Sequence, residues 1–173
     1  TPGAYPGVGA EERGQAEAIA TNIMEMSSLK TPIIIIITGE GGSGGALGIG
    51  LGDRVMMLEY SYYSVSTPEA CSSILWKDAD KYGEAAEALK MTARALHNLN
   101  IIDKIIKEPP GGGHKDIKKA ALIVKNEILK SYHELSKLST EKLIKQRYNK
   151  FREIGEFTTI INTPEVLNKE ANE

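Results

Sequence analysis

Two hydrophobic periods alternate along this chain and divide it into elements. Ala16, Ile19, Ala20 and Ile23 recur at helical spacing, which predicts a helix over Glu11 to Leu29. Glu11 and Glu12 fall in its first turn, where the helix dipole favours acids. Residues 1–9 before it form a Gly/Pro loop. Pro32 then opens Ile33-Ile34-Ile35-Ile36-Ile37-Thr38, an apolar run without alternation. Such a run predicts a strand covered on both faces, the usual condition of a parallel sheet. Arg54 to Glu59, Tyr62 to Ser66 and Ile101 to Ile106 read as further strands. Thr67-Pro68-Glu69 is a helix start, with Thr as N-cap and Pro in the first turn, and the helix runs to about Trp76. Glu84 to Met91 and Thr92 to Leu99 are also helical.

The pattern changes at Lys115. Two amphipathic helices follow, Ile117 to Leu138 and Thr140 to Ile154, with Ser139 as the cap between them. Lysines and arginines outnumber acids in this part. From Thr158 the chain is polar and weakly patterned, a loose tail. The expected organisation is therefore an α/β part over 1–114, a helical region over 115–157 and a tail over 158–173.

Composition adds little beyond this. Of 173 residues, 41% are hydrophobic and 25% charged, an ordinary globular balance. The formal net charge is -2, so no global charge argues for nucleic acid or a membrane surface as a partner. The longest apolar run is far below the roughly 20 residues of a spanning helix. Cys71 is the one cysteine, so no internal disulfide and no cysteine metal cluster is expected, and a reducing compartment is the natural reading. The start at Thr1-Pro2-Gly3-Ala4-Tyr5-Pro6-Gly7 has neither an initiator Met nor a signal-peptide pattern, which predicts further sequence upstream.

Candidate chemistry concentrates in Gly39-Glu40-Gly41-Gly42-Ser43-Gly44-Gly45-Ala46, where a helix is expected to begin near Gly44. A glycine turn between strand and helix aims backbone N–H groups at an anion. Three chemistries compete for it. The residues match G-x-G-x-x-G with Glu59 downstream, as a dinucleotide site requires, but Glu40 would stand beside the pyrophosphate. They match G-x-S-x-G around Ser43, with Asp103 and His114 following in hydrolase order, although Asp103 also suits a strand cap. They also suit an oxyanion hole without a side-chain nucleophile, built from the N–H groups of Gly44, Gly45 and Ala46. A fourth reading is that the glycines only allow close helix–strand packing.

A resemblance favours the third. Thr1 to Gly7 with Ala10-Glu11-Glu12-Arg13-Gly14-Gln15, the glycine stretch, Pro68-Glu69-Ala70-Cys71, Ile74-Leu75-Trp76-Lys77, Glu108-Pro109-Pro110-Gly111-Gly112-Gly113-His114, Ser139-Thr140-Glu141 and Arg147-Tyr148 resemble the carboxyltransferase alpha subunits of bacterial and plastid acetyl-CoA carboxylase. The likeness covers Thr1 to about Gly155, the C-terminal part of such a subunit. Ala70 stands where the family usually has Gly, and Gly113 where it usually has Ala. The resemblance implies a crotonase/ClpP-like spiral of ββα units, with C-terminal helices. It implies an alpha2–beta2 assembly with the beta subunit, which carries the zinc ribbon, and work alongside biotin carboxylase and the biotin carboxyl carrier protein. It implies transfer of a carboxyl group from carboxybiotin to acetyl-CoA, giving malonyl-CoA for fatty acid synthesis, in the cytoplasm or a plastid stroma. Gly45 and Ala46, with Gly44, would hold the biotin carbonyl. Gly3, Ala4, Tyr5, Gly7, Gly41 and Gly42 would line the substrate site, and no metal would be bound by this chain. Three other classes stay open: a CoA-thioester hydratase or isomerase using Glu40, a serine hydrolase, and a subunit that only docks its partner.

Overall fold

A computed structural model of the chain describes residues 3–156. The predicted tail from Thr158 lies outside them. Helix α1 (Val8–Glu12) and helix α2 (Gln15–Ser28) lead into strand β1 (Ile34–Ile37). Strand β2 (Glu40–Gly42) and the short helix α3 (Ser43–Leu47) follow. A second round repeats the order: β3 (Arg54–Leu58), β4 (Tyr62–Ser64) and α4 (Pro68–Trp76). Helices α5 (Tyr82–Leu89) and α6 (Ala93–Asn98) precede β5 (Lys104–Ile106), and α7 (Ile117–Leu135) and α8 (Thr140–Arg152) close the described chain.

Each ββα round places one strand in each of two parallel sheets. One sheet has the order β1-β3-β5 and the other pairs β2 with β4. The register sets Ile34 beside Arg54 and Glu40 beside Tyr62. This is the spiral that the resemblance implies. Alternate side chains of the first sheet leave by opposite faces, so two apolar clusters form. Ile35, Ile37, Val55, Met57 and Ile105 join Ala93, Leu96 and Ile102 on one face. Ile34, Ile36, Met56, Leu58 and Ile106 join Ile123 and Val124 of α7 on the other. Both faces are covered, as the isoleucine run predicts. The central strand is nevertheless β3, where Met56 and Met57 are fully buried, while β1 lies at an edge and Ile34 to Ile36 are half-buried.

Four local expectations need correction. The helix predicted over Glu11 to Leu29 is two helices, because Gly14 takes φ 76° and caps the second. The loop predicted through residue 9 gives way to α1 at Val8. Glu40–Gly42, read as a turn, is a strand paired with Tyr62–Ser64, and the helix starts at Ser43. The strand predicted from Ile101 begins at Lys104. The expected caps agree better: Thr67 and Ser139 each accept an N–H from the first turn of their helix, and Asp116 does the same for α7 without having been expected.

One device repeats at the amino ends of the first sheet. Asp53 N–H donates to Ile33 O (2.9 Å) and its Oδ2 accepts Ile33 N–H (2.7 Å). Asp103 N–H donates to Val55 O (2.8 Å) and its Oδ2 accepts Val55 N–H (2.6 Å). Each aspartate thus fastens the start of one strand to its neighbour. Each also meets a cation from α8. Arg147 Nε and Nη2 donate to Asp53 at 3.0 and 2.8 Å, and Lys150 pairs with Asp103. Arg147 further donates to Met26 O, Leu29 O and Thr31 O at 2.8 to 2.9 Å, with only 2% of the residue exposed. The guanidinium therefore caps the carboxyl end of α2, guides the chain into β1 and anchors α8.

Removing one partner of a buried pair costs about 3–5 kcal/mol, because the other charge stays unpaired. Arg147→Ala should lower unfolding stability by that order in urea titration. Arg147→Lys should restore only part of it, since an ammonium cannot make the forked contacts. A loss below about 1 kcal/mol for Arg147→Ala would contradict this role. Lys150 gives a pH-dependent test. Burial pulls its pKa below the ordinary 10.5, against the opposing pull of Asp103. Between that lowered value and 10.5 the unfolded chain binds more protons than the folded one, so stability rises with pH there. Wild type should gain on Lys150→Met as pH is raised through this window, and a constant difference in denaturation midpoints would contradict it.

Candidate active site

The glycine stretch leaves the carboxyl end of β1 and turns into α3. Four N–H groups at the start of any helix lack carbonyl partners within it, and in α3 these belong to the cap Gly42 and to Ser43, Gly44 and Gly45. Ala46, the third of the expected trio, is one residue further in and buried. The first loop comes to the same place. A methyl group built on Gly45 would lie 2.9 Å from the Gly3 carbonyl carbon and 3.1 Å from Ala4 N. One built on Gly3 would meet Gly42 O and Ser43 Cβ at 3.5 Å. Gly45 is thus glycine because another stretch of this chain's backbone lies against it.

Other glycines meet other neighbours. Gly44 and Gly48 face Ile19 of α2, and Asn22 Nδ2 donates to Gly48 O. Gly41 lies under the Tyr63 ring, where a Cβ would come within 2.9 Å. Gly41 and Gly42 are buried within β2 and stand behind the turn, while Gly3, Tyr5 and Ser43 are exposed. Tyr5 is 80% exposed, with its ring over Gly7. The packing reading of the glycines therefore holds for several of them, alongside the N–H array.

Two cavities flank the turn. One of about 330 Å³ is lined by Ser43, Gly44, Leu47, Tyr63, Val65 and Leu96, among others, and is largely apolar. The second, about 140 Å³, is lined by Thr38, Glu40, Gly41, Ala46, Ile49 and Tyr63 among others. Glu40 hydrogen-bonds the Tyr62 hydroxyl. Burial first, and then the Glu40 charge, hold that hydroxyl above the ordinary tyrosine range. Burial alone does the same for Tyr63.

The competing chemistries fare unequally. Ser43 has φ 50° between a strand and a helix, the backbone shape of a nucleophile elbow. Its partners are not assembled. Asp103 is at the amino end of β5, held by Val55 N–H and Lys150, whereas Ser43 directly follows β2 of the other sheet. His114 lines a different cavity from Ser43, with Thr38, Tyr60 and Glu108. The dinucleotide reading loses its acid, because Glu59 is paired with Lys107 at 2.5 Å, a contact that lowers the Glu59 pKa. Asp53, Arg147 and Lys150 were not legible as a buried network. Only the position of each aspartate just before a strand hinted at it.

The glycine contacts differ in a testable way. Gly45→Ala should push the Gly3–Ala4 loop away and speed proteolytic cleavage near residue 5. Gly39→Ala, with nothing within 4 Å of its Cβ, should shift stability by less than about 0.5 kcal/mol. Equal behaviour of the two would contradict the close approach.

Comparison with known proteins bears on the family and the fold. A family profile described as acetyl co-enzyme A carboxylase carboxyltransferase-like matches residues 1–155. The acetyl-coenzyme A carboxylase carboxyl transferase subunit alpha of Geobacter metallireducens is 57% identical over 157 residues, 91% of this chain and 49% of that protein. The subunit of the same name from Tolumonas auensis is 57% identical over 155 residues, 90% of this chain and 49% of that protein. The chain spans about half the length of these curated relatives. Among solved structures, a Pseudomonas malonate decarboxylase hetero-tetramer in complex with coenzyme A superimposes with TM-score 0.67 at 13% identity, covering 96% of this chain and 64% of that one. Transcarboxylase 12S, with methylmalonyl-coenzyme A and methylmalonic acid bound, gives 0.55 at 22% identity, covering 69% and 25%. At such identities these structures bear on the fold alone, and they agree with the α/β crotonase-like spiral. Matched by that profile over nearly its whole described length, the chain belongs to the acetyl-coenzyme A carboxylase carboxyltransferase-like family.

Proposed function

We propose that this chain is the alpha-side part of a carboxyltransferase that moves a carboxyl group from carboxybiotin to acetyl-CoA. The observation that carries the reading is the start of α3. There the N–H groups of Gly44 and Gly45, which have no carbonyl partner within the helix, stand at a glycine turn backed by Gly3 and Ala4. Two such donors, with Ala46 behind them, suit the ureido oxygen of biotin, which gains negative charge as the N–CO₂ bond breaks. The biotin nitrogen so freed takes a proton from the acetyl methyl group. The enolate carbon then bonds to the released CO₂, giving malonyl-CoA and biotin. No protein nucleophile enters, which leaves Ser43 as a turn residue. Gly3, Ala4, Tyr5 and Gly7 form one rim of the substrate site, with Gly41 and Gly42 supporting it from behind.

The same reading assigns the partners: a beta subunit that completes an alpha2–beta2 enzyme and holds most of the acetyl-CoA, and a carrier protein that delivers the biotin charged by biotin carboxylase. It places the protein in bacterial cytoplasm or plastid stroma, in the service of fatty acid synthesis. Among the described residues no helix is long and apolar enough to cross a membrane.

The test is malonyl-CoA formation by the full-length parent chain with and without a matched beta subunit. Product is expected only with both, and absence of product from a mixture that forms the complex would overturn the proposal. Gly45→Val should lower the rate by about 10²–10³ while the complex survives sizing. Ser43→Gly, which suits φ 50°, should keep the rate, whereas a nucleophilic serine would lose it.

A further inference from the structure

A third cavity, about 470 Å³, opens at the carboxyl ends of β1, β3 and β5. Thr38, Tyr60, Glu108, Gly111, Gly112 and His114 wall it. Thr38 also lines the cavity that holds Glu40, Gly41 and Ala46, so one residue at the end of β1 belongs to both walls. The walls come from separate loops, and one side chain joins them. Glu108 Oε1 accepts Tyr60 N–H at 3.0 Å, and Oε2 accepts Gly113 N–H at 2.6 Å. The His114 ring belongs to the same arrangement. A methyl group on Gly112 would stand 3.1 Å from its Cε1 and Nδ1 and 3.9 Å from Glu108 Oε2. Gly112 itself takes φ 99°, so the ring folds back over a loop that only glycine shapes easily.

We propose that Glu108 is a positioning residue that holds the Tyr60 turn and the Gly111–His114 loop as one wall, and that this wall receives the carboxylate of carboxybiotin. The inference rests on the carboxyl-transfer reading above. With its ureido oxygen on Gly44 and Gly45, an N-carboxylated urea still presents its carboxylate, an acceptor. The wall offers the hydroxyls of Thr38 and Tyr60 and the imidazole N–H of His114, all able to donate. Tyr60 is 67% exposed, which leaves its hydroxyl free to meet a ligand. A bare carboxylate here would repel such an anion. Both Glu108 oxygens instead accept backbone N–H bonds, which offset its charge and turn it to the loops. The nearby Lys107 is committed to Glu59.

Glu108→Gln tests this, because its amide keeps one acceptor and sets an NH₂ group against the other N–H, so one loop is released. The experiment uses the full-length parent chain with its beta subunit, and varies carrier-borne carboxybiotin and acetyl-CoA separately. The KM for carboxybiotin should rise about tenfold, the effect of losing one hydrogen-bonded contact, with that for acetyl-CoA unchanged. His114→Ala should give the same split. An unchanged or lower KM for carboxybiotin overturns the proposal, the lower value showing that charge rather than position mattered. Equal changes in both KM values, or a rate loss that only follows the folded fraction, also overturn it. A readout free of activity separates this from failure of the functional reading. In NMR spectra of ring-labelled histidine, Glu108→Gln should move the His114 signals and leave those of His97 and His133 in place. Static His114 signals overturn the positioning role even if wild type transfers carboxyl groups, while moved signals in a complex that makes no malonyl-CoA locate the failure in the function.

Discussion

The fold depends on a guanidinium buried beneath the sheet. Arg147 joins Asp53 through a forked pair and also holds three carbonyls where α2 ends and the chain turns toward β1. Taking both charges out of water costs several kcal/mol per ion, so the pair holds only because its lone pairs and N–H groups are used together. Asp53 is itself tied to both backbone groups of Ile33. One side chain from the last described helix thereby fixes where the first strand begins. Asp103 and Lys150 repeat the arrangement one strand along. The spiral is thus pinned at each round by an aspartate below and a cation from α8.

That pinning occupies the amino ends of the parallel strands and leaves their carboxyl ends to the loops. The glycine turn, the Tyr60 turn and the Glu108–His114 loop all emerge there. Ligands of parallel α/β sheets bind at this edge, because the loops there are free to vary while the strands below are packed on both faces. Met56 and Met57, fully buried on opposite faces of β3, are the floor of that platform. A rigid floor matters for an oxyanion site, since a displaced donor loses most of its effect on the barrier. Ile19, lying against Gly44 and Gly48, and the Gly3–Ala4 backbone against Gly45 hold the turn from two sides. Stability at one end of the sheet and candidate chemistry at the other are therefore parts of one construction.

Much of this was legible in the chain. The isoleucine run announced a parallel strand covered on both faces, and the Thr67 and Ser139 caps end up at helix starts. The glycine stretch announced backbone chemistry, and the resemblance announced the family. Boundaries were less legible. Gly14 breaks a run whose apolar spacing reads as continuous, because positive φ is a backbone property that leaves no mark on the periodicity. Glu40–Gly42 has no strand signature at all. It is extended because Tyr62–Ser64 lies beside it, and glycine is required only because Tyr63 covers the strand.

What the sequence determined by itself was local: helical periods, caps, a covered strand and a turn able to present N–H groups. These follow from interactions within a few residues, and a single chain read in order contains them. Tertiary structure decided which of the equally good motifs are real. Ser43, Asp103 and His114 stand in hydrolase order along the chain, but the parallel sheet puts Asp103 at its amino ends and His114 in another cavity. Arg147 reads as one more basic residue on a basic helix, and it becomes the anchor of the fold only when the ends of three elements converge on it. Coulomb attraction and hydrogen bonding act over a few ångströms of space regardless of sequence separation, so their partners are set by the fold.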